Sequence, residues 1–110
     1  MKSLFRFYSE TDPEEVCGFV LENKRSVQVK NVHPEPTQGF EIDPEDIMSY
    51  IDRIKGIWHT HPQATSVLSG EDKQCIEQWP DVAHYIVGED GIRKYVVENG
   101  VVVDADYIPR

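Results

Sequence analysis

Cysteine is scarce in this sequence: Cys17 and Cys75 are the only two among 110 residues. One potential pair is no disulfide framework, so the fold must rest on a hydrophobic core, with reduced thiols and a cytoplasmic setting as the expectation. Basic residues are also in short supply, eleven Lys plus Arg against twenty Asp plus Glu, for a formal net charge of -9. That balance argues against sequence-independent attraction to nucleic acid or anionic lipid, and it suits a bound cation or a basic partner. No apolar stretch approaches a membrane span, and the start, MKSLFRFYSETD, lacks the apolar segment and small-residue pattern of an export signal. Repeats and low-complexity tracts are absent as well, and the Pro-containing stretch 31–39 reads as a loop. With 39% hydrophobic residues the acidity reads as a solvated surface rather than disorder, and the length suits one domain over residues 1–110.

What is present alternates between strand and helix. Residues 16–21 and 26–32 are β-rich runs separated by Glu22-Asn23-Lys24-Arg25, which suits an antiparallel pair. Asp43 then stands as an N-cap and Pro44 at a first helical position. Ile47, Tyr50, Ile51 and Ile54 form an apolar stripe that Gly56 can end. Gly56-Ile57-Trp58-His59-Thr60-His61 returns as a strand. Ser69-Gly70-Glu71-Asp72 opens a second helix with Asp72, Cys75, Ile76 and Trp79 along one face and Pro80 after its end. Strands are expected over 82–87 and 92–97, the latter paired with 101–103 across an Asn99-Gly100 turn.

The chain has four histidines and places two of them, His59 and His61, one residue apart. Strand alternation sends both to the same side, so two imidazoles converge where a divalent metal such as zinc could bind. A catalytic site commonly needs a third protein ligand. Asp72, in the first turn of the next helix, is an acidic residue that a short crossover could bring back over the strand end. The plainer alternative stays open, since such histidines also occur as ordinary polar residues and Ser-x-x-Asp as a helix cap. Glu15, taken alone, likewise reads as part of an Asp-x-x-Glu helix start at Asp12.

In order along the chain stand Glu15-Val16-Cys17-Gly18, then His59-x-His61-Pro62, then Ser69-x-x-Asp72. This series resembles the motif of the JAMM (MPN+) metallopeptidases. Pro13 to Phe19 and Phe40 to Asp46 are similar to the short prokaryotic and phage-tail branch of that family, over about residues 11–90. One departure is Leu68, where the pattern leads one to expect proline. The resemblance implies a mixed, largely antiparallel α/β sheet flanked by helices, in the cytidine-deaminase-like MPN (JAB) fold. It also implies zinc held by His59, His61 and Asp72, with Glu15 as general base and Ser69 as hydrogen-bond donor to the reacting carbonyl. The implied reaction is hydrolysis of a peptide or isopeptide amide in an extended segment of substrate.

Residues outside the motif read as structural. Cys17 and Cys75 suit small apolar roles, His33 a loop position, and His84 a place in its strand. For the substrate, cell-wall peptide crosslinks in a phage-virion setting stand first. Processing of a ubiquitin-like or sulfur-carrier protein stands second. A zinc-stabilised assembly module without turnover is the alternative from another class. A zinc nucleoside deaminase would need a Cys-x-x-Cys pair and a Glu next to a His, and neither occurs.

Overall fold

The computed structural model describes residues 1–110. Strands β1 (Cys17–Leu21), β2 (Ser26–Val29), β3 (Ile54–Thr60), β4 (Ala83–Val87), β5 (Gly91–Glu98) and β6 (Val101–Pro109) form one sheet ordered β2-β1-β3-β4-β5-β6. All neighbouring pairs are antiparallel except β3 and β4, which are parallel. Parallel strands require a crossover, and helix α2 (Gly70–Gln78) supplies it. Helix α1 (Pro44–Tyr50) precedes β3, and a 3-10 turn, Lys2–Phe7, begins the chain. This is the mixed, largely antiparallel α/β architecture that the resemblance implies.

Alternation along the strands divides the core between the two faces of the sheet. Phe19, Leu21, Ile54 and Ile57 pack with Ile47 and Tyr50 of α1, while Ile76 of α2 packs with Ile86 and Tyr95. Val20, Trp58, Val87 and Ile92 form a separate cluster with Leu4, and Phe7 stacks on Trp58 at 4.3 Å. Gly18 is needed where it stands, because a Cβ there would lie 1.8 Å from the Val27 carbonyl oxygen and 2.8 Å from the Trp58 indole.

Several expected boundaries move. The first helix ends at Tyr50, and Ile54 belongs to β3 opposite Leu21. An Ile three or four positions after Tyr50 and Ile51 fits a helical stripe and a strand start equally well, so the tertiary pairing decides. Gly56 is therefore no helix stop. It lies within β3, where a Cβ would meet Tyr85 at 3.0 Å and the Ala83 carbonyl oxygen at 3.2 Å. Strand β2 stops at Val29, after which Asn31 makes an isolated bridge with Ile42. Strand β6 runs on to Pro109 because β5 pairs with it over its whole length, through one irregularity between Lys94 and Tyr95. The Asn99-Gly100 turn has positive φ at both residues, 52° and 78°, as a tight hairpin requires.

Candidate metal centre

His59 sits in β3, and His61 follows just past the strand end, where its N–H still donates to the Val87 carbonyl of β4 at 2.8 Å. The two Nε2 atoms are 3.2 Å apart. Asp72 arrives from the first turn of α2, a position where the helix dipole favours a carboxylate. Its Oδ1 lies 3.0 Å from His59 Nε2 and its Oδ2 lies 2.8 Å from His61 Nε2. The site therefore forms at the carboxyl end of β3, one member of the parallel pair, with the crossover helix returning over it.

Ser69 and Asp72 close a reciprocal cap. The Asp72 N–H donates to Ser69 Oγ at 3.1 Å, and the Ser69 N–H donates to Asp72 Oδ2 at 2.9 Å. Cap and site are thus the same residues, and the two readings of Ser-x-x-Asp are compatible. Because Ser69 Oγ accepts in this cap, its own proton is free to point elsewhere. Leu68, in place of proline, donates its N–H to the Tyr95 hydroxyl at 3.2 Å, a bond that proline could not make.

Glu15 joins from the far end of the sequence. The Val16 N–H donates to Thr60 Oγ1 at 3.0 Å and the Thr60 N–H to the Val16 carbonyl at 2.9 Å, so the approach to β1 is fastened beside the two histidines. Residues 12–16 form no helix, contrary to the helix-start alternative. The Glu15 N–H goes instead to the Pro36 carbonyl at 2.8 Å, and its carbonyl accepts from Asn31 Nδ2 at 2.9 Å. The side chain is buried, and its Oε1 has no hydrogen-bond partner.

These groups fit a divalent cation. Glu15, His59 and His61 each bring one ligand atom within 4.8 Å of the others. Asp72 adds the carboxylate that spans both imidazoles. His61 Nδ1 faces the Thr65 carbonyl oxygen at 2.8 Å, and that oxygen can only accept, so Nδ1 carries a proton and the Nε2 lone pair can point inward. Phe40 stacks on the His59 ring at 4.3 Å and holds its orientation.

Charges in the cluster are strongly coupled. Burial opposes ionisation of Asp72, but hydrogen bonds and charge from His59 and His61, with the Ser69 N–H, hold its carboxyl far below the usual range. Burial lowers His59 below an ordinary imidazole. Burial is the largest influence on His61 and works against its charge, but the bond and charge of Asp72, the Thr65 carbonyl and Glu15 together raise the value. Glu15 is pushed up to about 7, chiefly by burial, with His61 pulling the other way.

The other candidates lie outside this cluster. Cys17 is buried and its thiol is pushed up to about 12 by burial, while Cys75 is pushed up to about 11 by the same cause. His84 is buried, with its Nε2 2.9 Å from the Trp79 carbonyl oxygen. His33 does lie in a loop, but its Nε2 contacts Glu71 Oε1 at 2.9 Å, beside the site. Sequence reasoning passes over Asn31, Phe40 and Thr65. Only the Phe40 segment carries a signal, and it is a family likeness rather than a chemical role.

The loop from His61 to Ser69 is anchored from behind. Asp90 accepts from the Ser66 N–H at 2.7 Å and from the Ser66 hydroxyl at 3.0 Å, and the Tyr95 hydroxyl donates to the Ser66 carbonyl at 3.3 Å. Burial works against the Asp90 charge, but the two Ser66 donors, its own backbone N–H and the Arg93 charge together hold the carboxyl below its ordinary range. Asp90→Ala should destabilise the fold by about 1–3 kcal/mol at neutral pH, because it strands the buried Ser66 donors. A carboxyl held low contributes above the unfolded-chain value of about 3.9, and that contribution is lost as pH falls through its folded value. Urea unfolding midpoints of wild type and variant should therefore differ at neutral pH and converge in strong acid. Equal midpoints at neutral pH would contradict the anchor.

A mixed sheet with two imidazoles and two carboxylates gathered at the end of its parallel pair defines an α/β domain with a candidate metal centre. The chain belongs to the family described as prokaryotic homologs of the JAB domain, whose profile matches residues 2–98. Over 92 residues it is 30% identical to a desampylase of Haloferax volcanii, an alignment covering 72% of this chain and 66% of that protein. It is 35% identical over 83 residues to tail tip assembly protein K of Escherichia phage N15, covering 63% of this chain and 34% of that protein. The chain thus spans less than two thirds of the length of the curated relatives it matches. A solution structure of a Desulfitobacterium hafniense protein shares the fold, with a TM-score of 0.75 over 98% of this chain and 86% of that one, at 18% identity.

Proposed function

We propose that this chain is a zinc-dependent hydrolase of peptide or isopeptide amide bonds, with His59, His61 and Asp72 holding the metal. The observation that carries this reading is the convergence of both Nε2 atoms and the Asp72 carboxylate beside a buried Glu15 whose Oε1 has no partner. Zinc, when bound, supplies Lewis acidity and brings the pKa of water down to about 7. Glu15 takes a proton from the attacking water and passes it to the leaving amine. Burial beside the histidine pair suits a carboxylate that must both accept and return a proton. The Ser69 hydroxyl, already oriented by the Asp72 N–H, donates to the carbonyl oxygen as that atom gains charge. Loss of such a donor lowers the rate by about 10²–10³-fold. A zinc site kept only for assembly would not need a base buried beside it, which weighs against the module without turnover.

A groove of about 340 Å³ runs from Phe40, against the His59 ring, between α1 and α2, with Phe19, Ile57 and Trp79 among its lining residues. Such a groove suits an extended segment rather than a folded surface. The likeness to a desampylase favours the flexible tail of a small protein joined through an isopeptide bond. Cell-wall crosslinks in a virion setting are the second reading, favoured by the likeness to the tail tip protein.

The zinc-loaded chain should be incubated with conjugates of ubiquitin-like carrier proteins beside crosslinked peptidoglycan, and the products followed by mass spectrometry. Release of intact carrier with a free lysine amine on its former partner is the expected result. New amino groups in muropeptides alone would move the substrate to the cell wall. Cleavage of neither by protein of full zinc content would overturn the hydrolase reading.

A further inference from the structure

Asn31 lies in the loop after β2 and belongs to no catalytic motif, yet every hydrogen-bonding position of its carboxamide is in use. Nδ2 donates to the Glu15 carbonyl at 2.9 Å and to the Gly39 carbonyl at 3.0 Å. Oδ1 accepts from the His33 N–H and the Glu41 N–H, both at 3.0 Å. A primary amide has two protons to donate and two lone pairs to accept with, so no other side chain of similar size satisfies all four groups.

The loop that Asn31 gathers touches the site at three further points. The Pro36 carbonyl accepts the Glu15 N–H at 2.8 Å, so both backbone groups of Glu15 are tied to residues 31–39. Phe40 stacks on His59. The Glu35 N–H donates to His33 Nδ1 at 2.9 Å, which leaves the proton on Nε2 to reach Glu71 Oε1, one residue before Asp72. That pair lies directly over Gly39, where a Cβ would stand 2.7 Å from Glu71 Oε1. Strand pairing alone does not place Glu15, since β1 begins two residues later at Cys17.

We propose that Asn31 is the positioning residue for Glu15: its amide fixes the Glu15 peptide against the 31–41 loop, and this aims the carboxylate at the histidine pair. The proposal rests on the reading of Glu15 as general base. In this role Asn31 acts on the chemistry through Glu15. Misplacing a base lowers the rate of the chemical step without weakening the grip on an extended substrate.

Asn31→Asp separates this role from general support of the loop. A carboxylate still accepts from the His33 and Glu41 N–H groups but cannot donate to the Glu15 and Gly39 carbonyls. The expected result is a kcat lower by about 10²-fold with KM nearly unchanged and zinc content intact. In a Glu15→Gln background the same substitution should bring no further loss, because both changes remove one function. Should Asn31→Asp not fold, Asn31→Ser enters the same cycle, with one donor in place of two. Losses that multiply in the double variant, an effect carried by KM, or a wild-type kcat in Asn31→Asp or Asn31→Ser would each overturn the proposal. Full activity of Glu15→Gln would instead strike the general-base reading itself, whatever Asn31 does.

Discussion

Glu15→Gln should reduce turnover by about 10²–10⁴-fold while the chain keeps its zinc and its stability. Glutamine has nearly the shape of glutamate, so the buried position is still filled, but an amide cannot accept the proton of an attacking water. Burial dominates the Glu15 environment and raises its carboxyl to about 7, with Asp72 and Glu71 adding to the shift and His61 and His33 opposing it. A base must be ionised to work, so activity is present above its pKa and falls as pH drops through it. The wild-type rate should therefore show an acid limb, set lower than about 7 when a bound cation adds its positive charge. Steady-state rates on an authentic substrate across pH, with metal content measured on the same samples, decide the matter. Equal activity in wild type and variant would remove Glu15 from the chemistry.

The second large effect is on metal itself. Protein purified without chelator should carry about one zinc per chain, and His59→Ala, His61→Ala and Asp72→Ala should each release it. Asp72 spans both imidazoles, with its oxygens 3.0 and 2.8 Å from the two Nε2 atoms. Its loss would remove the proposed anionic ligand and also the acceptor of the Ser69 N–H, so Asp72→Ala should lose stability as well as metal. A ligand that binds only the folded chain stabilises it, so a chelator should lower the melting temperature of wild type and leave the Ala variants unmoved. Imidazole must be neutral to coordinate and the metal competes with the proton, so metal should leave only as pH falls well below the ordinary imidazole value of about 6.5. Elemental analysis measures the zinc directly: a stoichiometric amount in a chain lacking both His59 and His61 would place the metal elsewhere.

Some of this protein was legible along the chain because the relevant forces act between near neighbours. Strand alternation places His59 and His61 on one side. Asp43 caps α1 through the Glu45 N–H, Ser69 and Asp72 cap α2, and Asn99-Gly100 turns a hairpin. Each reflects contacts within a few residues. The resemblance supplied the architecture and the five candidate site residues, Glu15, His59, His61, Ser69 and Asp72.

Tertiary structure decided what depends on distant partners. The apolar runs at β3 and β4 do not say that they lie parallel, and Ile54 does not reveal that it leaves the helix for the sheet. Nothing in the Asp12 to Glu15 stretch tells that its backbone bonds are claimed by Pro36 and Asn31, which turns a plausible helix start into the approach to a buried carboxylate. Asn31 and His33 read as loop residues because their partners, Glu15 and Glu71, are 16 and 38 positions away. Side-chain period and capping are local and leave a mark on the sequence. Register, and the pairing of buried polar groups across loops, are set only when the whole sheet excludes water and each stranded donor must find an acceptor.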